Sequence, residues 1–174
     1  MRKIVFQAQK HRRGQAIVEF ALVAPILFTL IFGIIEFALI GASLSICENA
    51  AQNAVHLLAV NGDTNSSIDT QAVQLILGRA NILPVIQIQS ITIFQSSATN
   101  SGPQINAENI YSGPSGIPTT QNWPISQRFS TVSSPIFAGI EIQFTYNLPF
   151  ASIGSGSIIH LQAQAFSLIM PSGG

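Results

Sequence analysis

A chain of 174 residues has room for one modest domain and a membrane helix. Charged residues make up only 8% of it, against roughly 25% in ordinary soluble domains. So sparse a supply of acids and bases is hard to build into a catalytic constellation, and the lone cysteine, Cys47, excludes an internal disulfide.

Net charge is zero, but its distribution is lopsided. Arg2, Lys3, Lys10, Arg12 and Arg13 come first, with no acid among them, and only Arg79 and Arg128 follow. This is the positive-inside pattern, which places the N-terminus in the cytoplasm and the bulk of the chain outside. A basic arm could instead bind nucleic acid. This arm lacks interleaved aromatics and abuts an apolar run, so no nucleic-acid partner is expected.

The run from Phe20 to Ile35 holds sixteen residues without a formal charge. As a helix it spans about 24 Å at ~1.5 Å per residue, short of a hydrocarbon core of about 30 Å. Adding Gln15 to Val18 and Phe37 to Ala42 makes the length sufficient and draws Glu19 and Glu36 toward lipid, where an ionised side chain costs roughly 3 kcal/mol or more. The apolar run exceeds the 7–15 residues of a secretory h-region. A conventional cut at Gly41-Ala42-Ser43 nevertheless stays open on sequence grounds. Pro25 is tolerated in a membrane span. Glu36 is expected at the outer interface.

Arg12, Arg13, Gly14, Gln15, Ala16, Val18, Glu19, Phe20, Ala21, Leu22, Val23, Pro25, Gly33, Ile34, Glu36 and Phe37 form a joint pattern. It resembles the N-terminus of the TadE-like proteins, minor pilins or pseudopilins of the tight adherence (Tad) branch of type IV pili. The resemblance implies a basic leader, residues 1–14, that is removed by a prepilin peptidase between Gly14 and Gln15. It makes Glu19 the fifth mature residue, pairing with the N-terminal amine of a neighbouring subunit during assembly. On spacing alone Glu19 would simply snorkel to the cytoplasmic interface. The implied partners are the prepilin peptidase, other pilins or pseudopilins, and the Tad inner-membrane platform with its ATPase. The implied location is the inner membrane, single pass, with the chain able to enter a surface pilus.

Residues 15–60 read as one helix, membrane-spanning to about 42. Beyond that, Leu44, Cys47, Ala51, Val55 and Leu58 form an apolar stripe, while Ser45, Glu48, Asn49, Gln52 and His56 fall mostly on the other side. The stripe is expected to lie on the chain's own domain, with a neighbouring subunit as the alternative. Asn61-Gly62 stops the helix. A second helix capped by Ser67 or Asp69 runs through Ala80, with Ile68, Ala72, Leu75 and Ile76 buried.

From Val85 the period changes to two, and a phase slip near Gln89-Ser90 calls for a β-bulge. Residues 96–135, rich in Ser, Gly, Pro, Asn and Thr, read as a long exposed loop, with Tyr111, Trp123, Ile125 and Phe129 folding part of it back. Gly139 to Asn147 alternates clearly, with Ile140, Ile142, Phe144 and Tyr146 on one face, and Ile158 to Met170 supplies the last strand. The expected fold class is α+β. A long N-terminal membrane-spanning helix precedes an extracytoplasmic domain, residues 61–174, with a short helix and an antiparallel sheet of about three or more strands.

His11, His56 and His160 lack metal-ligand spacing, and no serine sits in a G-x-S-x-G elbow. Neither cofactor nor metal is expected, and no catalytic residue is assigned. The sequence reading is thus a non-enzymatic minor pilin or pseudopilin for adhesion or surface attachment. The alternative is a single-pass anchored extracytoplasmic binding domain that enters no filament, and a secreted enzyme ranks last.

Overall fold

The computed structural model describes residues 5–61, 67–99, 102–128, 130–131, 135–149 and 158–170; side chains at 5–13, 97–99, 102–104 and 106 fall outside that set. The chain divides into two compact units, Met1–Leu39 and Ile40–Gly174.

Helix α1 runs from Val5 to Asn61, and its backbone forms the whole of the first unit's described structure. Helical backbone is therefore already present at Val5, ahead of the expected start at Gln15. Residues 5–13 include the helix formers Gln, Ala, Lys and Arg and no proline, so nothing local interrupts the turn. Pro25 sits inside the helix without ending it, and Thr29 Oγ donates to the Pro25 carbonyl at 2.8 Å. Ile17, Val18, Phe20, Leu22, Ile26, Ile34 and Phe37 are all exposed. One continuous apolar surface of this extent has no place in water. Within Gly14–Asn61 the helix is long and apolar enough to cross a membrane, which makes it a candidate membrane anchor.

The second unit is α+β. The last five turns of α1 and helix α2 (Ile68–Ala80) cover one face of a five-stranded antiparallel sheet in the order β3-β2-β1-β4-β5. The strands are β1 (Ile86–Thr99), β2 (Gly102–Ser112), β3 (Pro118–Gln121), β4 (Phe137–Asn147) and β5 (Ile158–Leu168). Cys47, Ala50, Ala51, Ala54, Val55 and Leu58 of α1 are buried. Ser45, Glu48, Asn49, Gln52, Asn53 and His56 are exposed. The stripe thus serves the chain's own core, and alanines let the helix backbone lie close to the sheet. The Met170 N–H donates to the Ala59 carbonyl at 2.9 Å, satisfying one of the acceptors that every helix end leaves open.

The expected bulge is present. Register slips between Ile88 and Ser90, which returns Ile91 and Ile93 to the buried face shared with Ile86 and Ile88. The long loop expected over 96–135 is corrected. β1 extends to Thr99, and β2 and β3 occupy much of the rest, with 113–117 and 122–128 as connections. Tyr111 and Trp123 are buried as expected, Ile125 is half-buried, and Phe129 lies outside the described residues, as does Gly62.

Candidate functional site

Two groups of polar residues stand out, one on each unit. On the first, the helical rise carries Gln15 and Glu19 to one face, four residues apart. The Gln15 amide donates to Glu19 Oε1 at 3.0 Å, and both side chains are exposed. A carboxylate accepts through two oxygens and about four lone-pair sites, so one amide leaves most of that capacity open. Gly14 precedes them inside the helix. A side chain there would meet open space, so packing does not require glycine, although glycine costs a helix about 1 kcal/mol relative to alanine. The Arg12 and Arg13 side chains lie outside the described residues.

Further along the same helix, Glu36 is only 8% exposed, and neither carboxylate oxygen has a hydrogen-bond partner among the described residues.

On the second unit, α2 presents Asp69 from its first turn to a buried cluster. Arg128, 1% exposed, grips it with both terminal nitrogens, Nη1 to Oδ1 at 2.5 Å and Nη2 to Oδ2 at 2.7 Å. Asn109 Nδ2 and the Tyr111 hydroxyl, both from β2, donate to Oδ2 at 2.8 and 3.1 Å. A short 3₁₀ turn at Ile125–Gln127 reverses the chain, so that Arg128 returns over the Trp123 ring at 4.4 Å and donates to the Trp123 carbonyl. Asn109 completes the clip by accepting from the Trp123 N–H at 2.8 Å and donating to its carbonyl at 3.0 Å. Burial, with Asp69 beside it, pushes the Tyr111 hydroxyl well above its ordinary range, so it stays a donor.

This cluster locks α2, β2 and the 122–128 connection together. Four donors hold Asp69, which suits a clamp. Sequence reasoning gave Asp69 to helix capping and left Arg128 in a loop; the one available signal was the aromatic spacing of Tyr111 and Trp123 around it. Ser67 stands at the N-cap position but makes no side-chain cap bond. Cys47 is a buried packing residue, and burial pushes its thiol up to about 11. His56 and His160 are exposed, and among the described residues no three His, Cys, Asp or Glu side chains converge as a metal site.

Residues 14–56 match the family described as TadE-like protein. No curated protein and no solved structure matches the chain.

Proposed function

We propose that this chain, TadE-like over residues 14–56, is a minor pilin or pseudopilin of a Tad-type pilus, without catalytic activity. Its leader, residues 1–14, is cut after Gly14 by a prepilin peptidase. The new chain begins at Gln15, stays anchored by α1 in the inner membrane, and carries its α+β unit outside. It then joins other pilins through the Tad platform and its ATPase, in a pilus that serves surface attachment.

The observation that carries this reading is the arrangement at the start of the matched segment. Gly14 is a glycine that packing does not require, directly before Gln15, and Gln15 lies one turn from an exposed, incompletely satisfied Glu19. Cutting at that point frees a cationic amine. A neighbouring subunit's amine and the Glu19 carboxylate are then complementary charges that share the cost of leaving water.

The test is the N-terminal sequence of the protein recovered from membranes. The proposal expects a Gln15 start, and a full-length precursor when Gly14→Leu obstructs the peptidase. A wild-type chain that keeps Met1, or that starts near Ser43, contradicts it.

A further inference from the structure

The sheet face turned away from the helices has an unusual chemistry across β1, β4 and β5. The pairing registers arrange it in rows. The first row is Phe94, Gly139 and Phe166; the second is Thr92, Glu141 and Gln164; the third is Ser90, Gln143 and Gln162. His160 pairs with Thr145 in a fourth. None of the three strands contains Lys or Arg, although an edge strand such as β5 ordinarily carries charge to deter pairing.

The one carboxylate on these rows is already engaged. Gln143 and Gln164 donate their amides to the two oxygens of Glu141 at 2.7 and 2.8 Å. Because a carboxylate only accepts, these contacts fix which way each amide points and leave both amide carbonyls without a partner among the described residues.

One end of the face is aromatic. At Gly139 a β-carbon would strike the Phe94 ring at 2.5 Å, so the missing side chain makes room for it. Phe166 stands edge-on to Phe94 with centroids 5.7 Å apart and remains 44% exposed. The other end is a groove of about 370 Å³ lined by Gln89, Gln143, His160 and Gln162, within the range of small-ligand sites.

Gln89 is the bulged residue. Its amide donates to Thr145 Oγ at 3.2 Å and its carbonyl accepts from the Gly113 N–H at 2.8 Å. A side chain on Gly113 would collide with the Ile88 carbonyl. Bulges of this kind re-aim a side chain beside a site.

We propose that this face binds a neutral, hydroxyl-rich oligosaccharide. Amide carbonyls and N–H groups held in fixed directions match sugar hydroxyls, and their prior ordering lowers the entropy lost on binding. An exposed ring supplies an apolar platform with an accessible edge and face. The absence of cations disfavours phosphate, uronate or nucleic acid, and the engaged Glu141 disfavours a basic partner. From His160 to Phe166 the face runs about 20 Å, at ~3.4 Å per residue, and three strands make it about 10 Å wide. That is an extended track suited to several linked sugars. The proposal is independent of filament assembly, since an anchored monomer would present the same face.

The experiment uses the full-length protein in detergent micelles on an array of neutral linear oligosaccharides of four to eight units (glucans, mannans, galactans and chito-oligomers), with uronate and sulfated chains alongside. Retention of at least one neutral oligosaccharide is expected, weakened tenfold or more by Gln143→Ala and by Phe166→Ala. Gln52→Ala, on the exposed face of α1, should change nothing. Melting curves of Gln143→Ala and Gln52→Ala should overlay the wild type, because both side chains are exposed; Phe166→Ala gives up its edge contact with Phe94 and should melt somewhat lower but still cooperatively. Gln162→Ala serves if either site variant fails to fold. Retention of none of the neutral set, retention confined to the anionic chains, or binding indifferent to the site variants would overturn the proposal. So would concentration-dependent dimerisation lost in those variants, which would assign the face to a second copy.

Discussion

Asp69 and Glu19 are both carboxylates carried on helices, and the protein treats them in opposite ways. Asp69 is enclosed, gripped by a bidentate arginine, an amide and a phenol. Glu19 stands exposed on a helix, with a single amide for company among the described residues. A carboxylate whose every partner comes from its own chain is doing structural work. One that stands exposed with open acceptor capacity can take a partner from elsewhere, as the proposed assembly requires. The comparison separates what holds the fold from what the fold offers outward.

The largest effect should come from breaking the enclosed side. Asp69→Asn strands the Arg128 guanidinium, and removing one member of a buried ion pair costs about 3–5 kcal/mol. The expected outcome is a fall of that size in chemical denaturation of the purified protein. Arg128→Met should cost as much for the mirror reason, while the double variant Asp69→Leu/Arg128→Met should recover part of the loss. Equal stability of Asp69→Asn and wild type would show that the clamp is incidental.

The two carboxylates were not equally legible. Glu19 could be found because a basic leader, a glycine and an apolar run frame it in one stretch. The Asp69 cluster joins residues up to 59 apart in the chain, and each member alone reads as something ordinary: a helix cap, a loop asparagine, a solvated arginine. The same physics hid β2. Its inward residues include Asn109, a polar side chain made acceptable only by Trp123 and Asp69. Its opening Gly102-Pro103 reads as a turn. By contrast β4 alternates cleanly, and the slip at Gln89 could be read because isoleucine marks both sides of it.

Glu36 sharpens the comparison as a third case, buried like Asp69 but without a partner among the described residues. An unsatisfied buried polar group costs about 1–3 kcal/mol, so Glu36→Leu should stabilise the detergent-solubilised protein by about that much. A lower melting temperature would mean that Glu36 has a donor in the solubilised protein. Cys47 gives a smaller effect. Its folded thiol, at about 11, lies above the ordinary value of 9.0. Its contribution is therefore complete below pH 9 and fades as pH rises toward about 11, because the unfolded thiol ionises first. Iodoacetamide at pH 8 should label the denatured protein readily and the folded protein slowly. Equal rates would place the thiol outside the core.

The outward side of the comparison predicts almost no change in stability and a change in location. Glu19→Gln removes an exposed charge whose only partner among the described residues is one amide, so melting, membrane insertion and cleavage should match the wild type. If the carboxylate holds a neighbour's amine, assembly should weaken. Even about 1.4 kcal/mol is tenfold in an association constant. The direct measurement is the partition of wild type and Glu19→Gln between sheared surface filaments and the membrane fraction at matched expression. The account predicts about a tenfold loss or more from the sheared fraction, with the membrane fraction intact and correctly processed. Identical partitioning with normal piliation would contradict it.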